Sequence, residues 1–218
     1  MEATRKQQER TPRGQGVLLR DRLIDAALTL LDDGAEPAEV SIRGVTRRAG
    51  VSPTAFYLHF ESREALMRAC VERVFVDFRK RNHEAASRGG DPEDRLINAG
   101  IAYIRFAREQ PERYGLIFGS NWEQEGVTGE SGDPLEVADA AFADLVELVA
   151  AYTGSADGRT VDLDTLALGI WSGMHGFVTL CHASPGMATP TAEEYATLLT
   201  AAWLGPPKDR AAASGSTE

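Results

Sequence analysis

Cysteine is almost absent from this chain of 218 residues. Only Cys70 and Cys181 occur, and neither lies in a CxxC or in metal-ligand spacing. That argues against a disulfide framework and against a structural zinc; Cys70, in an apolar stretch, reads as a small core residue. Long apolar runs are missing too, and none approaches the ~20 residues that a membrane span needs. Residues 1–15 contain no apolar stretch, so no export signal is expected, and a soluble cytoplasmic protein without membrane contact is the default. Strand patterning is lacking as well: nowhere do apolar and polar residues alternate with period two, and no internal repeat stands out. What remains is a chain that is 43% apolar, enough for a real core.

The formal net charge of −10 argues at first against a nucleic-acid partner, but its distribution reverses that impression. Residues 1–88 carry 16 Lys+Arg and 13 Asp+Glu, a net +3, whereas residues 89–218 carry 7 and 20, a net −13. Between residues 41 and 63, Arg43, Arg47, Arg48 and Arg63 face Glu61 alone. A basic front and an acidic back suit a protein that meets a polyanion with one end only. Neutralised phosphates dominate DNA affinity, so the local charge outweighs the total.

The apolar periodicity predicts an all-α fold of about nine helices. Residues 1–16, with Pro12, Gly14 and Gly16, read as a mobile arm. Leu19, Leu23, Ala27, Leu30 and Leu31 mark a first helix over 17–33, closed by Gly34 and Pro37. Ser41 is a good N-cap for a second helix, Ile42 to about Ala49, with Ile42, Val45 and Ala49 on its buried face, and Gly50 stands where a left-handed residue ends a helix. Ser52 and Pro53 start a short third helix that buries Ala55, Phe56 and Phe60. A fourth begins after Ser62 and runs to the mid-80s on Leu66, Ala69, Cys70, Val74 and Phe78. Gly89 to Pro92 break the chain. Helices are then expected near 93–109, just after Pro111, and near 135–153, 162–182 and 191–203, with a loop over 119–134 and a disordered tail over 206–218. The pattern separates a head of short helices over 17–62 from a body of longer helices over 63–205.

The faces of the second and third helices carry the functional signal. Opposite the apolar positions stand Arg43 and Arg47, one turn apart and reaching the same way, then Ser52, Pro53, Thr54, Tyr57 and His59. Small polar residues at the start of a short helix approach base edges in the major groove. Tyr57 can donate to a phosphate, and Arg63 sits beside the start of the fourth helix, itself an anion-favouring position. Converging phosphate donors around a short exposed helix make the footprint of a recognition helix. The plain alternative is a pair of ordinary solvated polar faces.

The stretch from Ser41 to Leu66, with its Ala49-Gly50-Val51-Ser52 turn, Tyr57, the His59-Phe60 pair and Ser62-Arg63-Glu64-Ala65-Leu66, closely resembles the DNA-binding domain of the TetR family of repressors. The likeness covers about 50 residues, from the first helix to the start of the fourth. It implies a three-helix head with a helix-turn-helix, a helical ligand-binding body, and a homodimer that reads a palindrome in double-stranded DNA. It places Arg43, Arg47, Tyr57, His59 and Arg63 near phosphates and Ser52, Pro53 and Thr54 near bases. The chain departs from the family's usual Lys and Gly at Pro53 and Thr54, and from its usual aromatic or His at Leu58, so the base sequence read and one backbone contact do not carry over. Further on, Pro111-Glu112-Arg113-Tyr114, Ile117-Phe118 and Trp171-Ser172-Gly173-Met174-His175-Gly176 resemble a subgroup of the family whose regulatory domain carries a Trp…His-Gly signature.

The body offers two further readings. Gly169, Ser172, Gly173 and Gly176 share one helix face, and three interior glycines cost roughly 1 kcal/mol each against alanine. Close approach of another helix would offset that. The last helix presents Tyr195, Leu198, Leu199, Ala202 and Trp203 at helical spacing, so both helices are expected to pair with their symmetry mates as a four-helix bundle, with Gly169, Gly173, Gly176, Tyr195, Leu198, Leu199 and Ala202 in the contact. A ligand lying along the glycine face is the competing explanation. Tyr103, Phe106, Tyr114, Phe118, Trp122, Phe142, Trp171, His175 and Phe177 are candidates to line an effector pocket, each of them alone equally at home in a core, with Trp122 in a loop suited to a lid.

No metal or cofactor is expected: His175 and His182, seven apart with Cys181 between, gather no acidic residue. No enzyme is expected either, since Ser172 and His175 have no third partner and no strand-turn-helix elbow. The expected function is a regulator, most simply a repressor released by a small-molecule inducer. An activator of the same fold, and a helical scaffold that reads no DNA, are the alternatives.

Overall fold

A computed structural model of the chain describes residues 13–119, 136–154 and 162–205, with side chains from residue 17 onward. The expectations for most of the arm, for the 119–134 loop with Trp122, and for the tail lie outside the described residues. Among those described, every regular element is helical: α1 (Arg13–Asp32), a single 3₁₀ turn (Pro37–Glu39), α2 (Ile42–Ala49), α3 (Pro53–Phe56), α4 (Arg63–Ala86), α5 (Pro92–Glu109), α6 (Pro111–Phe118), α7 (Glu136–Thr153), α8 (Leu163–Ala183) and α9 (Ala192–Leu204). None is long and apolar enough to cross a membrane. Two compact units emerge, one up to Val71 and the other from Glu72 onward, so α4 begins in the first and ends in the second.

The first unit is built around short helices that cannot stand alone, since an isolated helix of fewer than about 12 residues is marginal in water. α2 is nucleated by Ser41, whose Oγ accepts from the Gly44 N–H at 3.1 Å. It ends at Gly50, where φ is +67° and an L side chain would be strained. Val45 and Ala49 are buried as the pattern requires, and Ile42 is half-buried. Thr46 is buried too, which its polarity concealed; its hydroxyl returns to the Ile42 carbonyl at 2.9 Å and so needs no water. α3 starts from Ser52, whose Oγ accepts from the Ala55 N–H at 3.2 Å, with Pro53 in the position where no N–H is missed. Phe56 and Phe60, ring centroids 5.6 Å apart, anchor it into a core with Leu23, Ala27, Leu31, Leu66 and Cys70.

In the second unit α5 is the central rod, touching α6, α7, α8 and α9. Ile104, Phe106 and Ala107 are wholly buried along it. Arg79 on α4 grips Asp144 on α7 with two bonds of 2.7 and 2.9 Å, which keeps its guanidinium more firmly protonated than usual. α9 opens with a reciprocal cap in which Thr191 and Glu194 satisfy each other's backbone N–H. Two glycines of the α8 face are covered by α9 of the same chain: a Cβ on Gly169 would stand 2.6 Å from the Trp203 ring, and one on Gly173 the same distance from Leu199, whereas one on Gly176 would meet no described atom within 4 Å. On α5, a Cβ on Gly100 would meet Met174 at 2.5 Å.

Gly173→Ala should therefore destabilise the chain by about 1–2 kcal/mol through overpacking against Leu199. Gly115→Ala, on the exposed side of α6 with no described atom within 4 Å of the new methyl, should instead gain up to ~1 kcal/mol from helix propensity. Denaturant titrations of the two variants at equal protein concentration check the opposite signs.

Candidate nucleic-acid interface and effector site

The first candidate surface is the outer side of α2 and α3. Arg43 and Arg47 are exposed on α2, and among the described residues neither guanidinium group makes a hydrogen bond or an ion pair. Ser52, Pro53, Thr54, Tyr57 and Leu58 are exposed along α3 and the turn after it, while His59 is half-buried. The Tyr57 ring stands edge-on to Phe56, centroids 5.3 Å apart, which steadies it while its hydroxyl faces outward. Arg48, counted with the basic residues of this stretch, is instead paired with Asp33 at 2.6 Å.

Arg63 is placed differently from the other candidates. Its Nε donates to the Val40 carbonyl at 2.9 Å and its Nη2 to the Pro37 carbonyl, with Glu64 3.6 Å away. The guanidinium thus ties the 3₁₀ turn to the first turn of α4. Arg22 of α1, singled out by nothing in the sequence pattern, donates to the Ala49 carbonyl at the end of α2. A helix end leaves its last carbonyls without intrahelical partners, so a reaching arginine there is a cap. The signal that finds it is small: an arginine directly before the buried Leu23 and Ile24 on a helix that packs against α2.

The second candidate lies in the other unit. The Tyr114 hydroxyl stands 2.8 Å from the Tyr103 hydroxyl and 2.6 Å from Nδ1 of His175. Phe118 sits among these rings, centroid distances of 4.8 Å to Tyr114, 5.8 Å to Tyr103, 6.0 Å to Trp171 and 5.8 Å to His175. Phe142 on α7 reaches the group through Trp171 at 5.9 Å, and Phe106 joins it only through Phe78 at 5.3 Å. Tyr103, Phe118, Phe142, Trp171 and His175 are therefore one cluster, completed by Tyr114; Phe106 belongs to the packed centre of α5. His182 also stacks its edge on Tyr114, at 6.1 Å, so the two histidines flank one phenol.

Of the residues expected to pair two subunits, Gly169, Gly173 and Leu199 face each other's helices within the chain. Tyr195 stacks on Phe177 at 3.9 Å and donates to the Gly173 carbonyl at 3.0 Å. Leu198 remains 62% exposed. Ala202 is exposed, and Leu168 and Leu180 on α8 and Trp203 on α9 are large apolar residues that keep about half of their surface in solvent.

Known proteins carry the same two parts. Residues 23–70 match the family model described as bacterial regulatory proteins, tetR family, and residues 96–203 match a tetracyclin repressor-like C-terminal domain. An uncharacterised HTH-type transcriptional regulator of Mycobacterium tuberculosis is 30% identical over 165 residues, 75% of this chain and 70% of that protein. A protein of unknown function from Rhodococcus sp. RHA1 shares the fold with a TM-score of 0.72 at 22% identity, over 94% of this chain and all of that one. A TetR family transcription regulator from Marinobacter aquaeolei VT8 does so with a TM-score of 0.61 at 19% identity, over 86% and 94% of the two chains.

Burial pushes the Tyr114 hydroxyl up to about 12, and burial pushes that of Tyr103 higher still. The unfolded chain gives up these protons near ~10, earlier than the folded one. Their contribution to stability is therefore complete below pH ~10 and is lost as pH rises from there towards ~12. Tyr114→Phe should lower stability by about 1–3 kcal/mol at neutral pH and flatten the alkaline fall between pH ~10 and ~12. Unfolding midpoints across that range check both; an alkaline slope identical to that of the parent would count against the assignment.

Proposed function

Because this chain belongs to the tetR family of bacterial regulatory proteins and is thereby a DNA-binding transcriptional regulator, we propose that it is a repressor, held on a palindromic operator as a homodimer and released when a small molecule binds its C-terminal body. The observation that carries the reading is the outer face of α2 and α3, where unpaired arginines flank a short exposed helix whose other side is wholly apolar core. Arg43, Arg47, Tyr57 and His59 are assigned to phosphates and Ser52, Pro53 and Thr54 to base edges. Arg63, already bonded to two backbone carbonyls, is assigned to holding the start of α4 against the loop before α2. Residues 17–62 act as the head and 63–205 as the body.

Dimerisation is assigned to the apolar residues of α8 and α9 that face outward, Leu168, Leu180, Leu198 and Trp203. Apolar side chains left in water favour burial against a second copy, and a dimer that reads a palindrome in adjacent major grooves needs its two recognition helices about one DNA turn, roughly 34–36 Å, apart. The effector site is assigned to the Tyr103, Tyr114, Phe118, Trp171 and His175 cluster, because hydroxyls and an imidazole set among stacked rings give a small ligand both an apolar wall and a few fixed polar contacts. α4, which carries residues of both units, is the natural element to move. A coupling of ~1–3 kcal/mol between the two sites suffices for regulation. The protein acts in the cytoplasm, where its operator lies, and needs no catalytic step.

The test is a footprint on the DNA beside the protein's own gene at two salt concentrations. A protected palindrome of about 15–20 base pairs that weakens steeply with salt is expected; retardation without any protected sequence, here and in a genome-wide selection, would end the reading. Arg47→Ala should reduce the salt slope by about 0.9 for each subunit's lost phosphate contact. Leu198→Glu should shift the protein to monomer in sedimentation and lower operator affinity with it.

A further inference from the structure

The recognition segment has an unusual chemical inventory. From Val51 to Phe60 the chain contains no Arg, Lys, Asn, Gln, Asp or Glu. Those are the side chains that make the bidentate or charged hydrogen bonds to guanine, adenine or cytosine in the major groove, whereas a Ser or Thr hydroxyl offers a single contact that suits several bases. What the segment exposes is Ser52, Pro53, Thr54, Tyr57 and Leu58. The Ser52 Oγ is already engaged as acceptor for the Ala55 N–H, and Pro53 has no N–H to offer. Leu58 is 77% exposed, the most exposed large apolar residue of the described chain, and it stands one helical turn beyond Thr54 and next to Tyr57. The core does not require it there: Phe56 and Phe60 already fill the inward side of this segment. Arg20 of α1 stands over the Phe60 ring, 5.1 Å from its centroid, and the exposed Arg43 and Arg47 lie on α2, the helix that in a helix-turn-helix crosses the sugar-phosphate backbone.

One base feature is read by apolar contact rather than by a hydrogen bond, the C5-methyl group of thymine. We propose that this protein recognises its operator half-site chiefly through thymine methyl groups, packed against Leu58, Pro53 and the Thr54 methyl, with Leu58 as the specificity-determining side chain. The inference rests on the reading of α3 as the recognition helix. It adds that the half-site contains thymines whose pairing is secondary to their methyls.

Full-length protein is first used to select bound sequences from a random double-stranded library. Each thymine of the selected half-site is then replaced in turn by deoxyuridine, which removes one methyl and leaves the Watson–Crick pair unchanged. The expected result is a rise in Kd of about fourfold per methyl lost, the value of one buried methyl-sized group, at one or more positions in each half-site. Leu58→Ala, an exposed position whose loss leaves the melting temperature unchanged, should bind the thymine and deoxyuridine probes equally at the position Leu58 covers. If every deoxyuridine probe binds as tightly as its thymine parent, while replacing a guanine by 7-deazaguanine abolishes binding, the proposal is overturned and a hydrogen-bonding side chain reads the site. If selection yields no shared sequence and binding tracks salt alone, sequence-specific reading itself falls, and the proposal with it.

Discussion

The exposed face of α2 and α3 depends on two arginines whose guanidinium groups are bonded to backbone carbonyls. α2 and α3 are eight and four residues long, too short to persist unaided. Arg22 reaches from α1 to the open carbonyl end of α2, and Arg63 reaches from α4 to two carbonyls in the loop before it. Between them they join the short pair to both long helices of the first unit at points where backbone groups would otherwise lack partners. Hydrogen bonds from a charged donor are stronger than neutral ones, and here they fix the helix whose outer face carries Arg43 and Arg47. Remove them, and the apolar anchors Phe56 and Phe60 alone would have to orient the turn.

That division of labour explains what could be read from the sequence and what could not. Helix positions were legible because caps and breakers are local: Ser41, Gly50, Ser52, Pro53, Asp91, Pro92 and Thr191 each act within four residues of where they stand. The exposed positions of α2 and α3 were legible because apolar periodicity assigns the opposite side to the core. The uses of individual arginines were not legible. Charge counting groups Arg43, Arg47, Arg48 and Arg63 together, yet Arg48 is paired with Asp33 and Arg63 with backbone, since which partner a long side chain finds depends on elements up to 26 residues distant. Thr46 was hidden for a related reason: a hydroxyl that bonds one turn back along its own helix behaves as an apolar group.

In the second unit Gly169 and Gly173 of α8 signalled close approach, and close approach is what they permit, to α9 of the same chain. Sequence spacing cannot tell a neighbour in the chain from one in another copy. The distinction matters for the apolar residues left over. Once Leu199 has filled the space beside Gly173 and Tyr195 has stacked on Phe177, the outward set is reduced to residues such as Leu198 and Trp203. The aromatic cluster shows the same limit. Tyr103, Phe118, Trp171 and His175 come from three helices, and only the fold reveals that the Tyr114 hydroxyl links two of them in one chain of hydrogen bonds.

The four-residue α3 has a consequence for how such a protein changes over generations. Its fold is secured from the inside by Phe56 and Phe60 and its start by Ser52. Pro53 preorganises the first turn, and Thr54, Tyr57 and Leu58 are left with almost no structural duty. Mutations at those last positions are therefore nearly free of stability cost, so a duplicated copy of the gene can drift to a new operator without first passing through an unfolded intermediate. Address and architecture are inherited separately along a single turn of helix.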